Sequence, residues 1–153
     1  MSRLAALGVE AASRLAQLHA EAFDRPWSAV EFQTLLAQPG VGALAVEEDE
    51  ALLGFVLIRA IAGEAEILTL AVAPNARRRR IGAALVEAAT AAAQSLGAEA
   101  LFLEVAADNV AALALYRRAS FDVAGRRPGY YARAAGAAMD AVVMRRPLNT
   151  ASA

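Results

Sequence analysis

The chain has 153 residues, 58% of them hydrophobic, with a net charge of −1 and no cysteine. That length suits one domain with a sizeable core, and the cysteine count excludes disulfides, thiolate metal sites and a cysteine nucleophile. With a single histidine as well, no metal site is expected.

No apolar run nears the roughly 18 residues of a membrane span, so no membrane association is expected. Glu10 and Arg14 interrupt the N-terminal stretch, which argues against a secretory signal and makes the cytoplasm the default compartment. The net charge gives no global attraction to nucleic acid. All 15 basic residues are arginine, and with so much alanine this points to the composition of a GC-rich bacterial genome.

Residues 3–7 fit a short first strand, although alanine makes the signal weak. From Val9 to Phe23 apolar residues recur at helical spacing, with Leu15, Leu18, Ala22 and Phe23 on one face. His19 falls in this helix, where a partly buried or surface position is expected. Asp24-Arg25-Pro26-Trp27 ends it. Ser28, with Glu31 three residues on, forms a capping box for a second helix over residues 29–37. Strands follow over 43–47, 52–61 and 64–72, with turns at the acidic segment 48–50 and at Gly63. A helix over 80–96 stops at Gly97. Residues 100–106 read as a strand and 109–119 as a helix with Asp108 as its cap. A helix between strands 68–72 and 101–105 implies a parallel crossover. Residues 121–124 and 139–145 read as a closing hairpin whose long connection carries Arg126-Arg127-Pro128-Gly129-Tyr130-Tyr131. A single domain over 1–147 is expected, with a frayed tail at 148–153.

The segment 68–87 has an electrostatic oddity. A buried strand is stopped by Pro74-Asn75, and four arginines, Arg77, Arg78, Arg79 and Arg80, then precede a helix beginning near Ile81, Gly82 and Ala83. Cations stand at the wrong end for the helix dipole. An anion bound at that turn would remove the conflict, because free N–H groups and arginines would share it. The bland alternative is a solvated arginine cluster. The spacing is neither a nucleotide P-loop nor a dinucleotide fingerprint.

Arg77 and Gly82 match the Arg/Gln-x-x-Gly-x-Gly/Ala signature of motif A in the GNAT superfamily of N-acetyltransferases, which the segment resembles. Arg80 stands where that signature has its first glycine, a substitution that bears on how closely backbone and phosphate approach. The string Leu103-Glu104-Val105-x-x-x-Asn109-x-x-Ala112-x-x-Leu115-Tyr116-x-x-x-x-x-Phe121 resembles the RimI branch, which acetylates protein N-termini. Pro26-Trp27-Ser28 and Tyr130-Tyr131 with Asp140-Ala141 and Met144 extend the likeness over nearly the whole chain.

The resemblance implies an α/β (α+β) fold with a mostly antiparallel central sheet, a parallel strand pair at its centre and about four flanking helices. It implies acetyl-CoA as cosubstrate, with pyrophosphate at residues 77–83, the pantetheine arm beside Leu70, Ala71 and Val72, and Asn109 touching the CoA. Glu104 becomes the general base and Tyr116 the general acid. Trp27, Tyr130 and Tyr131 become lining for a peptide groove. The implied acceptor is a protein N-terminal α-amine, with an alanine-starting ribosomal protein as precedent.

Each residue also has a plainer reading. Alternation alone turns a strand glutamate to solvent, Tyr116 can pack its ring in the core, and the three other aromatics can pack a loop. Lysine or small-molecule acetylation, and a non-catalytic acyl-CoA-binding module, remain open. A sensor module, however, needs neither an acid nor a base.

Overall fold

Leu53 to Ile58 is buried without interruption along the third strand, as a strand covered on both faces must be. The chain is a computed structural model that describes residues 2–131 and 138–148. Its elements are β1 (Arg3–Leu7), α1 (Ala12–Ala22), α2 (Ala29–Leu36), β2 (Val41–Glu48), β3 (Ala51–Ile61), β4 (Glu64–Val72), α3 (Ile81–Ser95), β5 (Ala100–Ala106), α4 (Val110–Arg118), β6 (Asp122–Tyr131) and β7 (Met139–Pro147). The seven strands form one sheet in the order β1-β2-β3-β4-β5-β7-β6. Only β4 and β5 run parallel; every other neighbouring pair is antiparallel. The mixed sheet with a central parallel pair and four helices is the fold expected from sequence.

The two faces are assigned by cross-strand partners, which share a side. Phe55 pairs with Ala71 and Leu57 with Thr69, and these residues face α1 and α2. Phe55 lies 5.7 Å, ring to ring, from Phe32 of α2. Val56 pairs with Leu70 and Gly54 with Val72, facing α3. There a side chain on Gly54 would meet Ile81 at 3.0 Å, Leu85 at 3.1 Å and the Ala71 carbonyl at 3.0 Å. The missing side chain lets the first turns of α3 lie directly on β3. Gly82 is nearly as constrained, since its Cβ would stand 3.3 Å from Leu115 of α4. Helices α3 and α4 therefore cover the same face, opposite α1 and α2.

Four details differ from the expectations. Helix α1 is preceded by a 3-10 turn at Val9–Ala11 and ends before Phe23, which is extended and exposed rather than part of the buried face. Asn109, not Asp108, caps α4, accepting the Ala112 N–H at 3.1 Å. The segment Arg126 to Tyr131 is strand, not connection. Arg127 pairs with Ala141 and Tyr131 with Met139, so residues 128–130 bulge opposite Asp140 alone. An edge strand tolerates Pro128 because its N–H side needs no partner. Leu148 is docked, its N–H donating to the Glu99 carbonyl at 2.9 Å; residues 149–153 lie outside the described residues.

Replacing Gly54 with Ala forces backbone or α3 to shift, so stability should fall by about 1–3 kcal/mol. Urea unfolding of Gly54→Ala beside the parent measures it.

Candidate active site

Strands β4 and β5 pair only from Glu64 to Ile67 and from Ala100 to Leu103, yet β4 runs on to Val72 and β5 to Ala106. Past Ile67 they part. The departure coincides with an extra residue, because Leu57 pairs with Thr69 and Ile58 with Ile67, leaving Leu68 as a bulge on β4. Bulges bend a strand and increase its twist. The Ala73 N–H donates to Leu53 of β3 at 2.8 Å. Alternation then turns the Ala71 and Thr69 N–H groups toward β3 and the Leu70 and Val72 N–H groups toward the opening. Of the three strand residues expected at a bound acyl arm, Leu70 and Val72 offer amides to it. Ala71 is buried on the α1/α2 side.

Beyond the opening, β4 leads through the turn Pro74–Ala76 to the arginines. All four are exposed, and their conformations differ. Arg78 has φ 66°; Arg80, the N-cap of α3, has φ 61° and ψ 24°. Left-handed backbone costs a non-glycine residue ~1 kcal/mol, so the turn has the geometry of the glycine it replaces. Arg79 is held away, donating to both oxygens of Glu48 at 3.1 and 3.2 Å, and this keeps the Glu48 carboxyl below its usual range. Arg77, Arg78 and Arg80 surround the uncapped end of a 15-residue helix, with Ile81 buried beneath and Ala83 exposed. Bare amides and flanking cations suit a pyrophosphate.

Glu104 and Tyr116 lie on opposite faces. Glu66 pairs with Phe102, so Phe102 and, two residues on, Glu104 share the α1/α2 face. This face is open over β5 as a cleft of about 470 Å³ lined by Arg59, Glu64, Glu66, Phe102, Glu104 and Arg127 among others. The Glu104 side chain is 20% exposed and 3.2 Å from Arg127. Tyr116 belongs to α4, on the α3 side. It is buried, with its ring edge-on to Phe121 at 5.7 Å. The expected base thus looks into the cleft while the expected acid stands on the anion-turn side. Asn109 is exposed and spends its side-chain oxygen on the α4 cap.

Of the expected groove aromatics, Trp27 is half-buried and Tyr130 exposed; Tyr130 and Tyr131 end β6, the strand that also carries Arg127 of the cleft. Asp140 fixes their bulge, accepting from Arg126 Nε at 2.9 Å and the Gly129 N–H at 2.8 Å. Both contacts hold its carboxyl below the ordinary range, Arg126 more strongly.

A model of the acetyltransferase (GNAT) family matches residues 12–121. The chain belongs to that family. It is 32% identical to the [ribosomal protein bS18]-alanine N-acetyltransferase of Salmonella typhimurium over 87% of this chain and 88% of that protein. It is 36% identical to the N-alpha-acetyltransferase RimI of Mycobacterium tuberculosis, over 88% and 85%. The crystal structure of the ribosomal-protein-S18-alanine N-acetyltransferase from Escherichia coli superposes with a TM-score of 0.91 at 27% identity, covering 99% and 97% of the two chains. Among the described residues no helix is long and apolar enough to cross a membrane, and no cluster of three metal-binding side chains occurs.

His19, given no role from sequence, bridges the α1–α2 connection to β4. It is 2% exposed, stacked on Phe23 at 4.2 Å and Trp27 at 5.1 Å. The Trp27 N–H donates to Nδ1 at 3.0 Å, which fixes the proton on Nε2, and Nε2–H donates to Thr69 Oγ1 at 3.0 Å. A lone histidine on an apolar helix face carries no signal of such a bridge. Burial lowers its pKa from the usual 6.5 to about 4, against a smaller raising effect from Glu31. The depressed value means the unfolded chain binds the proton first. Stability is full above the unfolded pKa and falls as pH drops from about 6.5 toward 4. The single imidazole should show no NMR titration between about pH 5.5 and 8; a midpoint near 6.5 would contradict the buried bridge.

Proposed function

We propose that the protein transfers the acetyl group of acetyl-CoA to the α-amine of a protein N-terminus, with an alanine-starting ribosomal protein as acceptor. The observation that carries this is the pair Glu104 and Tyr116, set on opposite faces of the sheet beside the parting of β4 and β5. A donor laid from the arginine turn along Leu70 to Val72 and an acceptor entering the open cleft would meet there.

In this reading the acceptor arrives mostly as an ammonium near neutral pH, since an α-amine has a pKa of about 7.7–8.0. Glu104 takes its proton, directly or through one water. The free amine attacks the thioester carbonyl, and the developing oxyanion accepts the Leu70 N–H, which no strand occupies. Collapse breaks the C–S bond. The thiolate then takes a proton from the Tyr116 hydroxyl. No covalent enzyme intermediate is required. Arg77, Arg78 and Arg80, with the amides of residues 81–83, hold the pyrophosphate. Trp27, Tyr130 and Tyr131 border the acceptor, and residues 1–147 act as one domain, in the cytoplasm.

Lysine acetylation on the same scaffold is less well supported. A lysine ammonium has a pKa of about 10.4 and asks far more of the same base. The acceptor named for these bacterial relatives is an alanine of ribosomal protein bS18 or S18.

With an alanine-starting peptide as acceptor, Tyr116→Phe should bind CoA but turn over about 10²–10⁴-fold more slowly at every pH. Glu104→Gln should also be slow, yet recover partly as pH rises past the amine pKa, where free amine needs no base. Mass spectrometry of the products, beside a blocked peptide carrying lysine, reads both rate and site. Wild-type turnover in either variant removes that residue from the mechanism, and equal labelling of the lysine peptide removes the α-amine preference.

Arg80→Gly separates strain from charge. Glycine relieves the left-handed backbone, so the melting temperature should not fall. Loss of one guanidinium should weaken CoA binding roughly fivefold to tenfold and flatten its salt dependence. Calorimetry at two salt concentrations decides, and an unchanged affinity assigns the Arg80 side chain no part.

A further inference from the structure

Two guanidiniums line the cleft that receives the acceptor, and each is set on a carboxylate. Arg59 is held by Glu66, its cross-strand neighbour, at 2.6 Å. Arg127 is different. It stands on β6, two strands from Glu104, and its side chain passes over β7, where Ala141 is its partner and Val143 that of Glu104. Two strand spacings amount to about 9–10 Å, a reach that only a long side chain makes. Its Nη2 ends 3.2 Å from Glu104 Oε1. The guanidinium carbon also lies 5.2 Å from the centre of the Tyr130 ring. The Arg127 side chain remains 57% exposed.

We propose that Arg127 is the gate of the acceptor site: a cation of the chain itself that occupies Glu104 until the substrate ammonium replaces it. The inference rests on Glu104 being the base, and it specifies what the acceptor must displace. Three features suit Arg127 to leave. Its own end of the ion pair is 57% exposed, and pairs with one partner in water are weak. Tyr130 already carries the guanidinium over its ring at 5.2 Å, so part of its contact can survive when the carboxylate is given up. The wide bulge at residues 128–130, clamped by Asp140, holds the backbone while the side chain moves. An acceptor with a free α-ammonium brings a cation to replace the one it removes. A blocked N-terminus brings none. The gate thereby favours charged termini over neutral ones before any chemistry occurs.

The test measures binding of an alanine-starting peptide by calorimetry in the presence of CoA, beside steady-state kinetics with acetyl-CoA. Removing the competing cation in Arg127→Met should tighten peptide binding about twofold to fivefold, the population that a weak exposed pair withholds. The gain should appear in the acceptor's KM and not in that of acetyl-CoA. Arg127→Lys keeps a cation and should stay nearer the parent. In a Glu104→Gln background Arg127→Met should bring no gain, because the two residues act as a pair.

Unchanged or weaker peptide binding in Arg127→Met, or a gain that persists without Glu104, overturns the gate. So does a lowered melting temperature without tighter binding, which a purely structural tie would give. Should Arg127→Met fold poorly, Arg127→Gln carries the same comparison. Full turnover in Glu104→Gln would overturn the base, and the gate with it. Slow turnover there, with unmoved binding in Arg127→Met, would overturn the gate alone.

Discussion

Everything at this site depends on two parallel strands that stop pairing. Strands β4 and β5 share a ladder for four residues and then part at the Leu68 bulge. Unpaired amides inside a sheet are expensive unless something else takes them. Here the amides turned into the opening, at Leu70 and Val72, belong to the stretch that leads to the arginine turn. A substrate arm can serve as the missing strand. The same parting opens one face of the sheet to the other, so that in the proposed function a donor on the α3 side and an acceptor on the α1/α2 side would meet without either crossing a helix.

Placement of the donor turn follows from packing rather than charge. Gly54 and Gly82 allow α3 to lie close on β3 and α4 close on α3. That brings the helix N-terminus over the end of β4. The arginines then impose a conflict, with Arg78 and Arg80 in left-handed backbone and three cations at the positive end of a dipole. Arg79 is neutralised by Glu48. On the proposed reading a pyrophosphate at this turn would relieve both strain and like charge, so the turn would give up stability in the free protein for affinity in the complex.

The sequence makes the order of strands and helices readable because the elements are bounded by strong signals: the Ser28–Glu31 capping box, the Gly97 stop and the continuous apolar run of β3. Glu104 and Tyr116, the proposed base and acid, stand out in the sequence through their spacing with Asn109, which resembles a known family pattern. Less was legible where side chains act across the fold. Nothing local predicts that His19 would bridge Trp27 to Thr69, or that Arg127 would reach over β7 to Glu104. Pro128-Gly129 signals a loop in the sequence because the pair normally punctuates one; the edge position and the Asp140 clamp override that signal. Asp108 was a reasonable cap, but Asn109 has the better geometry one residue later.

Two ties, at His19 and at Asp140, hold the segments that carry Trp27 and Tyr130. His19 ties the Trp27 end of the α1–α2 connection to Thr69, next to Leu70, with two hydrogen bonds and a stack of aromatic rings. Asp140 ties the opposite wall, fixing the bulge that carries Tyr130. A connection held by its own backbone alone would be mobile. These two segments instead have buried or charge-assisted anchors. Between them lies the exposed Arg127 side chain, paired with Glu104 and set over the Tyr130 ring. On the proposed gate, adjustment to an acceptor falls on a side chain rather than a loop, which costs less ordering entropy than closing a backbone lid.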